Sequence, residues 1–282
     1  MPERSASPVV DAQVHIWLPE GPDRPWPPNG QQWRERTHRP SLDLADLLTE
    51  MDAAGVDRAV IVPPLFEGRR DDYALAAAAA HPDRFRVVPQ FDIDAPDLGA
   101  RLDAVVADPR LAGIRVAFML LDAGPLADAA DSPVWAAARE RDLPVMVFCP
   151  GQLPELGGIA RAHPGLRIAV DHLALSGTVT DGAIADELAP LLALSAEPGV
   201  SVKMTALPVA STEPYPHPAL HAPARSVLEA FGPERVFWGS DLSRLRGPYS
   251  DCLSLVRDEL GLSPGDADAV LGRSLLEWLR WP

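Results

Sequence analysis

The apolar run Val236-Phe237-Trp238-Gly239-Ser240 stops abruptly at the carboxylate of Asp241. β-Favouring residues between Gly232-Pro233 and a polar turn read as a strand buried on both faces, with Asp241 at its C-terminal end. Other apolar segments end in polar groups too: Gln13 and His15 on 9–17, His172 on 167–173 and Lys203 on 200–205. Carboxylate, imidazole and ammonium groups move protons and stabilise developing charge. A buried charge that has lost its partner costs roughly 3–5 kcal/mol, so these side chains must pair or meet solvent in a pocket. Each has a plainer reading on its own. His172 fits a satisfied core histidine, and Lys203 fits barrel filling paired with a carboxylate. Arg115 fits a structural ion pair as readily as a binder of a substrate carboxylate. The set outweighs these readings, because His15, His172, Lys203 and Asp241 at separate strand ends are hard to obtain from packing alone.

Bringing those ends to one mouth requires parallel strands. Strand patterns at 9–17, 58–63, 85–91, 112–118, 144–149, 167–173, 200–205 and from 236 onward alternate with helical patterns. That rhythm predicts a (β/α)8 TIM barrel in a single domain, 1–282. Helix punctuation agrees with it. Ser41 precedes Leu44, Leu47, Leu48 and Met51 at helical spacing and Gly55 closes them, while Ser132-Pro133 reads as an N-cap with proline at the first helical position. His81 most simply ends a helix. Alternation along 9–17 places Asp11, Gln13 and His15 on one side, the barrel interior, and turns Asp171 away from His172 to cap or pair on the outside. An open doubly wound sheet is the competing fold, but no strand runs into a GxGxxG or GxxxxGK[ST] loop. Two stretches, 18–40 and 207–222, read as loops on the active face. The first carries Trp26 and Trp33 among prolines and is either a packed lid or a simple cover; the second carries Tyr215, His217 and His221.

Composition narrows the partners. A net charge of −15 over 282 residues opposes binding to nucleic acid or to an anionic membrane and favours a small-molecule substrate. No apolar run approaches the roughly 20 residues that cross a bilayer. Residues 1–8 are short and polar, unlike a secretory signal, so a cytoplasmic location is expected. Cys149 and Cys252 form neither a disulfide framework nor a CxxC pair. Lys203 is the only lysine in the chain. A homodimer would be the commonest arrangement if the protein assembles.

Asp11-Ala-Gln-Val-His15, Val170-Asp-His-Leu173, Val202-Lys-Met-Thr205 and Phe237-Trp-Gly-Ser-Asp241 resemble, in order and spacing, the amidohydrolase superfamily. More narrowly, they look like its amidohydrolase 2 branch of sugar-lactone and pyrone-dicarboxylate lactonases. The resemblance runs from about residue 9 to the C-terminal helix. Many members hold a divalent metal through a D-x-H-x-H strand, a strand-five ligand and the strand-eight Asp. Here the first histidine is Gln13, and strand five ends Val147-Phe148-Cys149-Pro150. An amide oxygen is a weak zinc ligand, so the resemblance implies a site that works without metal; were zinc or manganese bound, His15, Asp241 and His172 would hold it. Cys149 reads as a small buried residue in preference to a soft ligand. The implied activity is hydrolysis of a lactone or other carboxylic ester. Asp241 would activate water, and His15 and His172 would polarise the carbonyl or stabilise the oxyanion. Lys203 would add positive charge, lower Asp241 or bind a substrate carboxylate. Gln13, Arg115, Trp26, Tyr215, His217 and Arg244 are expected to contact substrate. A metal-dependent hydrolase or nonoxidative decarboxylase, and a non-catalytic ligand-binding barrel, are the alternatives.

Overall fold

The structure, a computed structural model, describes residues 7–28, 30–118 and 124–282. Strands β1 Val10–Val14, β2 Arg58–Ile61, β3 Phe85–Val87 and β4 Ile114–Ala117 are followed by β5 Val145–Phe148, β6 Ile168–Val170, β7 Val200–Thr205 and β8 Val236–Gly239. Each pairs in parallel with its sequence neighbours, as β1-β2-β3 and β4-β5-β6-β7-β8. Backbone hydrogen bonds carry the ring across both seams. Between β3 and β4, Ala112 N–H donates to Val87 O at 3.0 Å and Arg115 N–H to Pro89 O at 2.9 Å. Between β8 and β1, Asp241 N–H donates to Gln13 O at 3.0 Å. The fold is the expected (β/α)8 barrel. Among the described residues no helix is long and apolar enough to cross a membrane.

The helices between the strands are α1 Gly30–Arg34, α2 Leu44–Ala54, α3 Asp72–Ala80, α4 Leu98–Ala107, α5 Pro133–Glu140, α6 Leu153–Ala162, α7 Ile184–Ala193 and α8 Pro218–Phe231. Their ends follow local chemistry. Asp43, two residues after the expected Ser41, caps α2 in a reciprocal capping box with Asp46, and Gly55 at φ 76° closes it. The Ser132 hydroxyl accepts from Val134 N–H ahead of Pro133, as the sequence suggests. The second expected loop, 207–222, is cut short by a helix. Pro218 opens α8, since its fixed φ suits the first helical position, and Leu220, Ala224, Val227, Leu228 and Phe231 bury one face.

Two apolar layers position the site. The larger lies between barrel and helices and includes Leu47, Trp135, Leu156, Leu188 and Val227. A smaller one fills the barrel interior with Val10, Ala12, Val60, Val62, Val88, Met146, Ala169 and Phe237, floored by Leu275, Leu279 and Trp281. The floor closes the N-terminal end, so interior polar side chains collect at the C-terminal mouth.

Strand β1 breaks the alternation expected of it. Its pairing with β2 shifts register between Asp11 and Val14. Such an irregularity re-aims side chains. Ala12 stays inside, Gln13 also turns toward the interior lysine, and Asp11 does not face the mouth. Asp11 instead stitches the β8 seam. Its carboxylate accepts Gln13 N–H at 2.8 Å, Ser240 N–H at 3.0 Å and Tyr249 O–H at 2.6 Å. Gly239 permits the approach, because a Cβ there would lie 2.5 Å from Thr205 Cγ2 and 2.9 Å from Asp11 Oδ1. Burial raises the Asp11 carboxyl to about 6, against the pull of the hydrogen bonds from Ser240, Tyr249 and Gln13.

Asp11→Ala would leave those donors without an acceptor in a closed core. At about 1–3 kcal/mol for each orphaned buried donor, urea unfolding should show a loss of about 3 kcal/mol or more. Asp11→Asn, which keeps one carbonyl oxygen, should lose less. A loss below about 1 kcal/mol for the alanine variant would show that the seam does not rely on this side chain.

Candidate active site

The chain leaves β8 through a left-handed residue, Asp241 at φ 48°, and leaves β6 through three in succession, His172, Leu173 and Ala174, at φ 52°, 55° and 52°. Non-glycine residues in this region cost about 1–3 kcal/mol each and persist where surrounding structure holds them. The turn after β6 overturns one expectation. Asp171, two residues on from the interior Ala169, lies inside and fully buried, and the left-handed backbone at His172 turns the imidazole to the same side.

At the mouth Gln13, His15, Arg115, His172, Asp241 and Arg244 line a cavity of about 100 Å³. Trp33, Arg36 and Thr37 from the 18–40 loop and Phe66, Phe148 and Ser243 also border it. The loop roofs the cavity and is tied to the body. Arg24 pairs with Glu67 at 3.0 Å, Trp26 packs on Phe66 at 5.0 Å, and His38 N–H donates to Ser243 O at 2.8 Å.

Inside, the Gln13 amide is the junction. Its Oε1 accepts from the Lys203 ammonium, and its Nε2 lies 3.0 Å from His172 Nε2 and 3.4 Å from His15 Nε2. An ammonium has no lone pair, so the oxygen must face Lys203 and the NH2 must face the rings. The His172 Nε2 lone pair therefore faces the Gln13 NH2, while His15 Nε2 lies between that NH2 at 3.4 Å and Asp241 Oδ1 at 3.3 Å. The ring Nδ1–H groups find acceptors in turn: His15 donates to Val62 O at 2.6 Å and His172 to Thr205 Oγ1 at 2.7 Å. Burial pushes the His172 ring down to about 3, more strongly than Asp241 and Asp171 pull it up.

Asp241 faces this pair, its Oδ1 3.3 Å from His15 Nε2 and its Oδ2 3.9 Å from His172 Nε2. Burial disfavours its charge, but His15, His172 and Arg244 hold the carboxyl well below the usual range. Behind Gln13, the fully buried Asp171 takes Lys203 Nζ at 2.8 Å and Arg115 Nε at 2.6 Å. Burial opposes ionisation of Asp171, and Lys203 and Arg115 overcome it. Burial also pushes the Lys203 ammonium down, and Asp171 pulls it back.

Of the expected substrate contacts, Gln13, Arg115 and Arg244 line the cavity and three residues do not. Trp26 packs behind Phe66. Tyr215 donates to Glu259 at 3.0 Å, and His217 Nδ1 lies 2.8 Å from Glu213 O. Lys203 has no exposed surface and meets the cavity only through Gln13. Sequence reasoning does not assign Arg36, Thr37, Phe66, Phe148, Ser243 or Asp171 to the site. Phe148 and Asp171 adjoin residues that it does mark, whereas Arg36 and Thr37 carry no local signal.

The donor set fits a resident metal poorly. Among the described residues no group of three or more His, Cys, Asp and Glu side chains is arranged to hold one. The Gln13 NH2 group points hydrogen at the His172 lone pair that a metal would need. A dication would also stand beside Lys203 and Arg115, whose charges Asp171 already shares. The Cys149 thiol, pushed up to about 12 by burial, is no soft ligand.

Comparison with known proteins agrees with this framework. Residues 10–273 match the family model described as Amidohydrolase. A curated L-fucono-1,5-lactonase from Burkholderia ambifaria is 32% identical over 249 residues, spanning 86% of this chain and 83% of its own. Among solved structures, an amidohydrolase from Burkholderia multivorans with bound zinc superposes with a TM-score of 0.79 at 23% identity, over 98% of this chain and 100% of that one. A putative 2-pyrone-4,6-dicarboxylic acid hydrolase from Pseudomonas putida gives 0.72 at 22%, over 97% of each. With its barrel, its strand-end Asp241 and His172 and this match across nearly the whole length, the chain belongs to the amidohydrolase family of hydrolases, on its lactonase-like side.

Proposed function

We propose that the protein hydrolyses the ring ester of a small sugar-type lactone, with Asp241 as general base and no resident metal. The observation that carries this reading is an ionised Asp241 beside the Nε2 atoms of His15 and His172, at 3.3 Å and 3.9 Å, beneath a roofed cavity with arginines in its wall. The 32% identity to an L-fucono-1,5-lactonase supports the substrate class.

In this chemistry a water molecule donates one hydrogen to Asp241. Its oxygen attacks the lactone carbonyl as Asp241 takes the proton. The tetrahedral intermediate collapses, the ring C–O bond breaks, and the leaving alkoxide takes that proton back from Asp241. The product is the open hydroxy acid. His172, whose Nε2 accepts from the Gln13 amide, is not the carbonyl donor anticipated from sequence. Oxyanion stabilisation falls to the donors that line the cavity, Arg115 and Arg244. Such preorganised donors are worth about 3–4 kcal/mol each.

With a panel of five- and six-membered sugar lactones that includes L-fucono-1,5-lactone, Asp241→Asn should lower kcat by about 100-fold or more while lactone binding survives. Equal loss of binding and turnover would remove Asp241 from the chemistry. Elemental analysis of protein purified without added metal or chelator should find well under one zinc or manganese per chain, with turnover indifferent to chelation. One metal per chain, with activity lost on chelation, would overturn the metal-free mechanism.

The acceptor role of His172 has a pH signature. Its folded value of about 3 lies below the ordinary 6.5, so between these limits the unfolded chain binds the extra proton. The stability that the neutral ring contributes is therefore complete above 6.5 and is lost as pH falls toward 3. Ring spectra of the folded protein should show His172 neutral down to about pH 4. A midpoint near 6.5 would contradict the acceptor role.

A further inference from the structure

Asp171 does not line the cavity, yet both walls of the cavity lead back to it. One of its oxygens holds Lys203 at 2.8 Å; Lys203 holds Gln13 Oε1, and Gln13 Nε2 reaches His172 Nε2 at 3.0 Å. Its other oxygen takes Arg115 Nε at 2.6 Å, and the Arg115 side chain borders the cavity. Asp171, Lys203 and Arg115 are all buried, which makes the arrangement stiff and strongly felt. Besides Gln13 and Asp171, the Lys203 ammonium meets a thioether, Met146 Sδ at 3.4 Å, which is a weak acceptor. Asp171 is thus the strong anchor that fixes the ammonium against the amide.

Resting on the hydrolytic reading above, we propose that Asp171 is the positioning residue of the site. It acts through Lys203 and Gln13 to keep His172 as the Nδ1–H tautomer, its Nε2 accepting from the Gln13 amide. Through Arg115 it also sets the donor wall. It touches no substrate.

The test compares wild type with Asp171→Asn and with the double variant Asp171→Asn/Lys203→Met. The double variant removes both partners of the buried pair, an exchange that folds tolerate better than removing one. Two readouts are taken: kcat and KM on the best lactone of the panel, and the tautomer of His172 from ring 15N shifts. The expected result is a kcat lowered about 100-fold, as for a small misplacement of reacting groups, together with Nε2–H tautomer at His172 in the double variant. An unchanged tautomer overturns the proposal whatever happens to kcat. An altered tautomer with kcat within twofold of wild type overturns it as well. If wild type hydrolyses no lactone, the hydrolytic reading fails by itself, and the 15N shifts still show whether Asp171 sets the ring.

Discussion

The contact on which the site depends is that between the Lys203 ammonium and the oxygen of the Gln13 amide. An ammonium can only donate, so the amide has one permitted orientation, and the proton assignment at His172 follows. An amide hydrogen meets His172 Nε2, so the His172 Nδ1 hydrogen turns to Thr205, while the His15 Nδ1 hydrogen turns to Val62 O. Reversing the amide would set NH2 against NH3⁺ and a carbonyl oxygen against the imidazole lone pair. Donors and acceptors of the side chains themselves order the network.

The barrel supplies the place for that contact. Its apolar interior excludes water below Gln13, and the floor of Leu275, Leu279 and Trp281 closes the other end. In such surroundings a lone lysine would deprotonate, and Asp171 counters this by sitting in contact with it. The seam is built on the same principle with a different group. Asp11 gathers donors from β1, the end of β8 and the helix bearing Tyr249, so the strand that carries Gln13 and His15 is fixed to the strand that delivers Asp241. The geometry between His15 and Asp241 is thus set from outside the cavity, by a carboxylate that never faces it.

The strand ends are legible in the sequence because an apolar run seldom stops at a charge unless that charge meets a pocket or a partner. That logic places Gln13, His15, His172 and Asp241 at one mouth, where the structure has them, and Lys203 with them, which the structure buries behind Gln13. It fails where the backbone leaves regular geometry. The register shift in β1 brings Gln13 inside while Asp11 stays out, the left-handed turn after β6 brings His172 round beside Asp171, and neither carries a glycine or proline to announce it. Loop contacts are harder still. Loop position is the only sequence argument for Trp26, Tyr215 and His217, and each is engaged elsewhere, with Phe66, Glu259 and Glu213. Arg36 and Thr37 reach the cavity only because the whole 18–40 loop folds back over it, a tertiary result without a local pattern.

The magnitudes decide which part of the proposed chemistry matters most. A carboxylate held well below its usual range is fully ionised at any working pH, but it is a weak base. General-base catalysis then lies toward the lower end of its 10²–10⁴-fold range, about 3 kcal/mol. Two preorganised donors at about 3–4 kcal/mol each outweigh it. On this accounting the donor wall carries more of the rate than the base, so the placement of Arg115 is as consequential as the ionisation of Asp241. The two are linked through the residues behind them. Asp171 anchors Arg115 directly and reaches the imidazoles beside Asp241 through Lys203 and Gln13, so one buried carboxylate sets the spacing between the attacking water and the charge that its attack creates.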